Sequence, residues 1–320
     1  HADAVVVGEG ERAWQTVLSD VAAGTLAPRY EGAVPADLGA LPVPRVDLYI
    51  AKEGGAYRPD DYPVQLSRGC PLTCTACVLP TSMGRSMRPL PLEHVLAHID
   101  QLAARGKLAS FTEDTSFFPG QGAQRHFGRV LDALAERANG AAISYVGISM
   151  PMVLATPEPF FGRMRAAGIK MFYLVGGFDP ITQNAFTGRD DKALGRARDA
   201  IAKCHDNGIE PYTSFLVGND ADDEGTFDRV IEFGNRARIK KAEFAILTPY
   251  PGTPVYERLE REERLLHRDW SRYNDANVVF RPKHMTPERL LEGYLYLWRE
   301  FYRSRQDLRS AGHNERTIQF

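Results

Sequence analysis

Strand-like and helix-like runs alternate six times from Val64 onward, which predicts an α/β fold built on a parallel sheet with right-handed crossovers. Two further observations agree. Glycines follow most of the helix-like runs (Gly106, Gly140, Gly168, Gly208), and Pro157 and Pro254 stand at first-turn positions. The 320 residues are 43% apolar and 25% charged, enough to bury a large core in one or two domains.

The chain opens on Ala4-Val5-Val6-Val7-Gly8-Glu9-Gly10-Glu11, a buried-strand pattern with a glycine turn, and a helical period then runs from Arg12 to Ala23. One strand and one helix cannot bury both their faces. This piece is expected to be the tail of a larger Rossmann-like domain, over residues 1–35, or to pack on the main body of the chain. The first residue is His1 rather than Met, as expected of a fragment or an added N-terminal remnant. Residues 36–61, rich in Pro, Gly and Asp, read as an extended linker.

The repeating units occupy residues 62–270. Strands are expected near 64–67, 108–112, 142–148, 170–175, 210–217 and 243–247, and helices near 92–104, 124–138, 157–167, 192–207, 224–238 and 254–266. The pattern leaves open whether the sheet is flat or curled into a partial barrel. Residues 271–320 form a cap: a short strand at Asn277-Val278-Val279-Phe280, a helix from Pro287 to Arg303 whose aromatic run suits packing on the sheet, and a polar tail. The acidic stretch Asn219-Asp220-Ala221-Asp222-Asp223-Glu224 reads as a solvated loop, because its spacing matches no calcium loop.

A formal net charge of -2 gives no overall pull toward nucleic acid or an anionic membrane, and no run is long and apolar enough for a membrane helix. The few, clustered cysteines point to a reducing cytoplasm.

Three of the 4 cysteines stand together in Arg68-Gly69-Cys70-Pro71-Leu72-Thr73-Cys74-Thr75-Ala76-Cys77, spaced C-x3-C-x2-C. Neighbouring thiolates repel, so a metal or iron-sulfur cluster among them is the natural reading. Three cysteines cannot all pair as disulfides. A structural zinc site completed by His94, His98 or Cys204 is the bland alternative. Arg68 would either offset the anionic charge of the cluster or stand as a solvated strand-end charge.

This cysteine loop at the end of the first strand, followed by six β-α units, resembles the radical S-adenosylmethionine (SAM) superfamily over residues 62–270. The phrase Thr248-Pro249-Tyr250-Pro251-Gly252-Thr253-Pro254 and the N-terminal Gly8-Glu9-Gly10-Glu11 are similar to the branch with a cobalamin-binding domain in front. The Asp-x-His-x-x-Gly loop of that domain does not occur in these residues.

The resemblance implies a partial (β/α)6 TIM-like barrel with an N-terminal Rossmann-like fragment and a helical C-terminal extension. It implies that Cys70, Cys74 and Cys77 ligate a [4Fe-4S] cluster and that SAM binds across the strand ends. Glu113 and Asp114 would take its ammonium group, and Ser149 its ribose or carboxylate. Gly176, Gly177, Asp179, Val217, Thr248 and Tyr250 would line the remaining strand ends. It further implies a transferase acting on a small molecule, an electron donor such as flavodoxin or ferredoxin, and cobalamin as a further cofactor. Two positions depart from the family pattern. Ala76 stands where an aromatic residue is usual, and Gly177 where many relatives carry glutamate. Both keep open transfer of the 3-amino-3-carboxypropyl group of SAM instead of methylation. A non-enzymatic iron-sulfur or zinc-binding module is the reading from another class.

Overall fold

The computed structural model describes residues 2–32, 37–55, 57–111, 121–137, 143–177 and 179–303. Its strands, in chain order, are Val5–Gly8 (β1), Arg29–Gly32 (β2), Asp61–Pro63 (β3), Ser67–Arg68 (β4), Arg88–Pro89 (β5), Leu108–Phe111 (β6), Ile143–Ile148 (β7), Met171–Leu174 (β8), Glu210–Val217 (β9) and Lys241–Ile246 (β10).

The main sheet has 6 strands in the order β10-β9-β8-β7-β6-β3, and every neighbouring pair is parallel. Each strand lies beside its predecessor in the series, the order that successive right-handed β-α-β crossovers generate. The sheet curls as a half-barrel and remains open, with β3 and β10 as its edges.

Phenylalanines fix the helix-covered face. Phe111 meets Phe127, Phe172 meets Phe161, Phe215 meets Phe233, and Phe244 meets both Trp298 and Phe301 of the helix Pro287–Arg303. Side chains alternate along a strand, so the opposite, concave face carries Ser110, Tyr145, Tyr173, Tyr212, Ser214 and Glu243.

The first strand differs from expectation. It is Asp61–Pro63, and the run Val64 to Ser67 instead leads into a small antiparallel hairpin, Ser67–Arg68 with Arg88–Pro89. Pro63 has no N–H to give a ladder, and it is accommodated because β3 is an edge strand. Val64 and Leu66 are still buried, with the Val64 N–H bonded to Ser110 O and Leu66 O receiving the Leu90 N–H. The expected strand at 277–280 is reduced to a single bridge, Leu265 with Phe280.

Short helices at Val46–Ile50, Met150–Ala155 and Pro180–Asn184 have no counterpart among the elements the periodicity predicts. At the N-terminus, β1 and β2 pair in parallel around the helix Gly10–Ala23. No described helix is long and apolar enough to cross a membrane.

Candidate active site

The cysteine loop is the insert of the β4–β5 hairpin. Gly69 turns the chain into it with φ of 87°, and a Cβ there would stand 2.1 Å from Ser86 O. Only glycine fits. The Cys70 N–H then bonds Gly84 O at 3.0 Å.

Across the barrel mouth, the turn after β10 holds the loop from the other side. The Val255 N–H, in the first turn of the helix Pro254–Arg261, donates to Thr75 O at 3.0 Å, and the Thr81 hydroxyl donates to Gly252 O at 3.4 Å. The loop therefore bridges the first and last β-α units of an otherwise open barrel.

Cys70, Cys74 and Cys77 form no disulfide. Cys70 is buried and the other two are half-buried. Burial raises the Cys70 pKa. Cys74 is pushed up to about 11, first by burial and then by the charges of Cys77, Cys70 and Asp179. The trio thus shares one electrostatic field, and ionising it calls for a compensating cation.

Among the described residues, no three His, Cys, Asp or Glu side chains converge to hold a single metal ion. A [4Fe-4S] cluster takes one thiolate on each of three irons, which matches the number of cysteines in the loop. Two of the three residues that would complete the zinc alternative are engaged elsewhere. Cys204 is fully buried in the core, and His98 pairs with the Tyr49 hydroxyl at 3.1 Å.

Arg68 faces neither the cysteines' charge alone nor solvent. Its Nη1 lies 2.5 Å from Glu11 Oε1 and 3.7 Å from Glu9 Oε2, and Arg88 engages both carboxylate oxygens of Glu9. The Gly-Glu-Gly-Glu turn therefore clamps the N-terminal unit onto the base of the cysteine hairpin.

The other expected positions divide. Glu113 and Asp114 lie outside the described residues. Ser149 caps the helix Met150–Ala155 through its carbonyl, and its hydroxyl makes no capping bond. Gly176 and Gly177 are required by close approach. A Cβ on Gly176 would meet Ser214 O at 2.0 Å, while Gly177 has φ of 80° and a Cβ there would meet Leu216. A side chain at position 177 would have to displace that of Leu216 and adopt a left-handed backbone.

Asp179 is buried and caps the helix Pro180–Asn184, accepting from Ile181 N, Thr182 N and the Thr182 hydroxyl. Burial raises its pKa. Val217 is buried at the end of β9, Thr248 is buried with its hydroxyl on Ile246 O, and Tyr250 donates to Asp275 at 3.3 Å.

The acidic stretch is not the solvated loop its composition suggests. Asp222 is buried and its Oδ2 accepts the N–H groups of Gly218 and Asn219, both at 2.8 Å. Burial pushes its pKa up to about 6. Asp220 gathers Arg258, Arg264 and Lys283. Burial opposes its ionisation, but these cations hold it down to about 2. Nothing in residue spacing announces either role.

The parallel half-barrel thus carries a three-cysteine loop at its strand-end mouth. In fold the chain is similar to a solved radical SAM methyltransferase, and in sequence to curated methyltransferases.

Residues 253–311 match the family model of a domain of unknown function, DUF4070. The bacteriochlorophyllide d C-12(1)-methyltransferase of Chlorobaculum tepidum is 27% identical, over 95% of this chain and 65% of that protein. The C-8(2)-methyltransferase of the same organism is 26% identical, over 94% of this chain and 68% of its own length. Among solved structures, the radical SAM methyltransferase TsrM of Kitasatospora setae, with tryptophan and a SAM analogue bound, superposes with a TM-score of 0.54 at 18% identity. That superposition covers 80% of this chain and 54% of TsrM. The chain thus spans about two thirds of the first of these relatives.

Proposed function

We propose that the protein is a radical SAM methyltransferase acting on a small molecule, with Cys70, Cys74 and Cys77 as the ligands of a [4Fe-4S] cluster. The observation that carries this reading is the loop of three electrostatically coupled cysteines, none in a disulfide, held at the barrel mouth by Gly69, Val255 and the Glu9–Glu11 clamp. Bound there, the cluster would supply the electron for reductive cleavage of SAM, and cobalamin the methyl carrier.

The chain's own residues bind and orient. Glu113 and Asp114 take the SAM ammonium group, and Ser149 a ribose or carboxylate oxygen. Gly176 and Gly177 offer the ligand backbone groups at the end of β8, with Val217, Thr248 and Tyr250 along the far strand ends. Asp179 acts by holding the Thr182 hydroxyl, which accepts the Gly177 N–H. In this reading residues 1–35 are the tail of a cobalamin-type domain, 36–61 a linker, 62–270 the barrel and 271–320 its cap. The enzyme works in the cytoplasm and draws electrons from a flavodoxin or ferredoxin.

Gly177 favours one competing reading, because without a glutamate there SAM can be posed differently, which bears on the bond that breaks. Chromatography of SAM products from the reduced, cobalamin-supplemented protein separates the two. S-adenosylhomocysteine and 5'-deoxyadenosine support methyl transfer, and methylthioadenosine as the main product supports transfer of the 3-amino-3-carboxypropyl group.

A further inference from the structure

The concave face of the sheet holds a group of side chains that the cofactors leave unexplained. A barrel interior that serves only stability is filled by branched aliphatic residues. Here, successive strands β7, β8, β9 and β10 point Tyr145, Tyr173, Tyr212 and Glu243 inward, and all four are only half-buried.

The tyrosine rings form a continuous wall. Tyr145 and Tyr173 have centroids 5.9 Å apart, and Tyr173 and Tyr212, directly opposite in register, 5.1 Å apart. At the end of the wall the Tyr212 hydroxyl donates to Glu243 Oε2 at 3.2 Å.

Glu243 has no cationic partner among the described residues, and the charge acting on it comes from another carboxylate, Asp275. Asp61, on the opposite edge strand, acts on Tyr145 with the same sign. Taking a carboxylate out of water without a cation is costly, and phenol hydroxyls offset only part of that cost. Aromatic faces beside an unpaired carboxylate are the surroundings in which a cationic nitrogen is bound.

We infer that Tyr145, Tyr173, Tyr212 and Glu243 form a binding site for an amine or guanidine group carried on the small-molecule ligand of the barrel. That this ligand is the methyl acceptor rests on the function proposed above; the cation site itself does not.

The test is isothermal titration of the protein as isolated with phenethylammonium, and with 3-phenylpropionate as the anion of similar shape. The amine should bind saturably and the carboxylate should not. Glu243→Gln should weaken amine binding about tenfold or more, and Tyr173→Leu several-fold, while Tyr212→Phe, which keeps the ring, stays within a few-fold. Circular dichroism checks that each variant is folded; if Glu243→Gln is not, Tyr173→Leu decides.

Equal binding to wild type and folded variants, or equal binding of the anion, overturns the inference. Displacement of the amine by SAM also overturns it, by assigning the cage to the cofactor. Since no step of the titration depends on SAM cleavage, failure of that chemistry would contradict the proposed function alone.

Discussion

Arg68 Nη1 lies 2.5 Å from Glu11 Oε1, so the residue two positions before the first cysteine of the loop is tied to the N-terminal β-α unit. With Arg88 on Glu9, the pair spans both strands of the cysteine hairpin. Glu9 and Arg68 keep only 10% and 17% of their side-chain surface exposed, so salt screens the clamp weakly. Replacing Glu9 with Gln should cost about 1–3 kcal/mol, the worth of hydrogen bonds to a charged group whose partners stay buried. The loop should also loosen. Alkylation of Cys70, Cys74 and Cys77 should be faster in the variant, and unchanged rates would mean that the clamp does not hold the loop.

Gly69 and Gly84 should respond differently to alanine although both have positive φ, of 87° and 79°. At Gly84 an added Cβ meets nothing within 4 Å, leaving the left-handed backbone as the sole cost, about 1 kcal/mol. At Gly69 it would also run into Ser86 O. Gly69→Ala should therefore cost at least ~2 kcal/mol more than Gly84→Ala by urea unfolding. Equal losses would contradict the hairpin geometry.

His98 should make stability depend on pH. Its pKa is lowered from 6.5 to about 4, first by burial and then by the charge of His94, and the Tyr49 hydroxyl faces its ring from the helix Val46–Ile50. A histidine held neutral in the folded state gives stability that is complete above the unfolded pKa and is lost as pH falls from about 6.5 toward 4. The loss should reach roughly 3 kcal/mol at the acid end of that window. His98→Gln should flatten the slope between pH 6.5 and 4 in thermal melts at stepped pH; an unchanged slope would assign it to other groups.

How much of the molecule is legible in the sequence depends on how local each signal is. The cysteine trio, strand β9 and the helix Pro287–Arg303 declare themselves through short-range spacing or long, strong periodicity. The first strand is misplaced by its pattern because Val64 to Ser67 is apolar for burial beside the hairpin, while the edge strand ends at Pro63. Glu9 meets Arg88 across 79 positions, and no spacing rule links residues so far apart. Asp222 carries the composition of a solvated loop, yet it is consumed by two backbone N–H groups at the exit of β9. The tyrosine wall is hidden for a similar reason, since one residue from each strand says little until the sheet aligns them.

The central claim is that Cys70, Cys74 and Cys77 hold a [4Fe-4S] cluster that opens SAM. Anaerobic reconstitution with iron and sulfide, followed by reduction in the presence of SAM, tests it most directly, with Cys74→Ala treated in parallel. The account predicts a brown protein with a [4Fe-4S] spectrum that consumes SAM, and a Cys74→Ala variant that does neither. A colourless, zinc-bound protein that leaves SAM intact, or a Cys74→Ala variant as active as wild type, would contradict it.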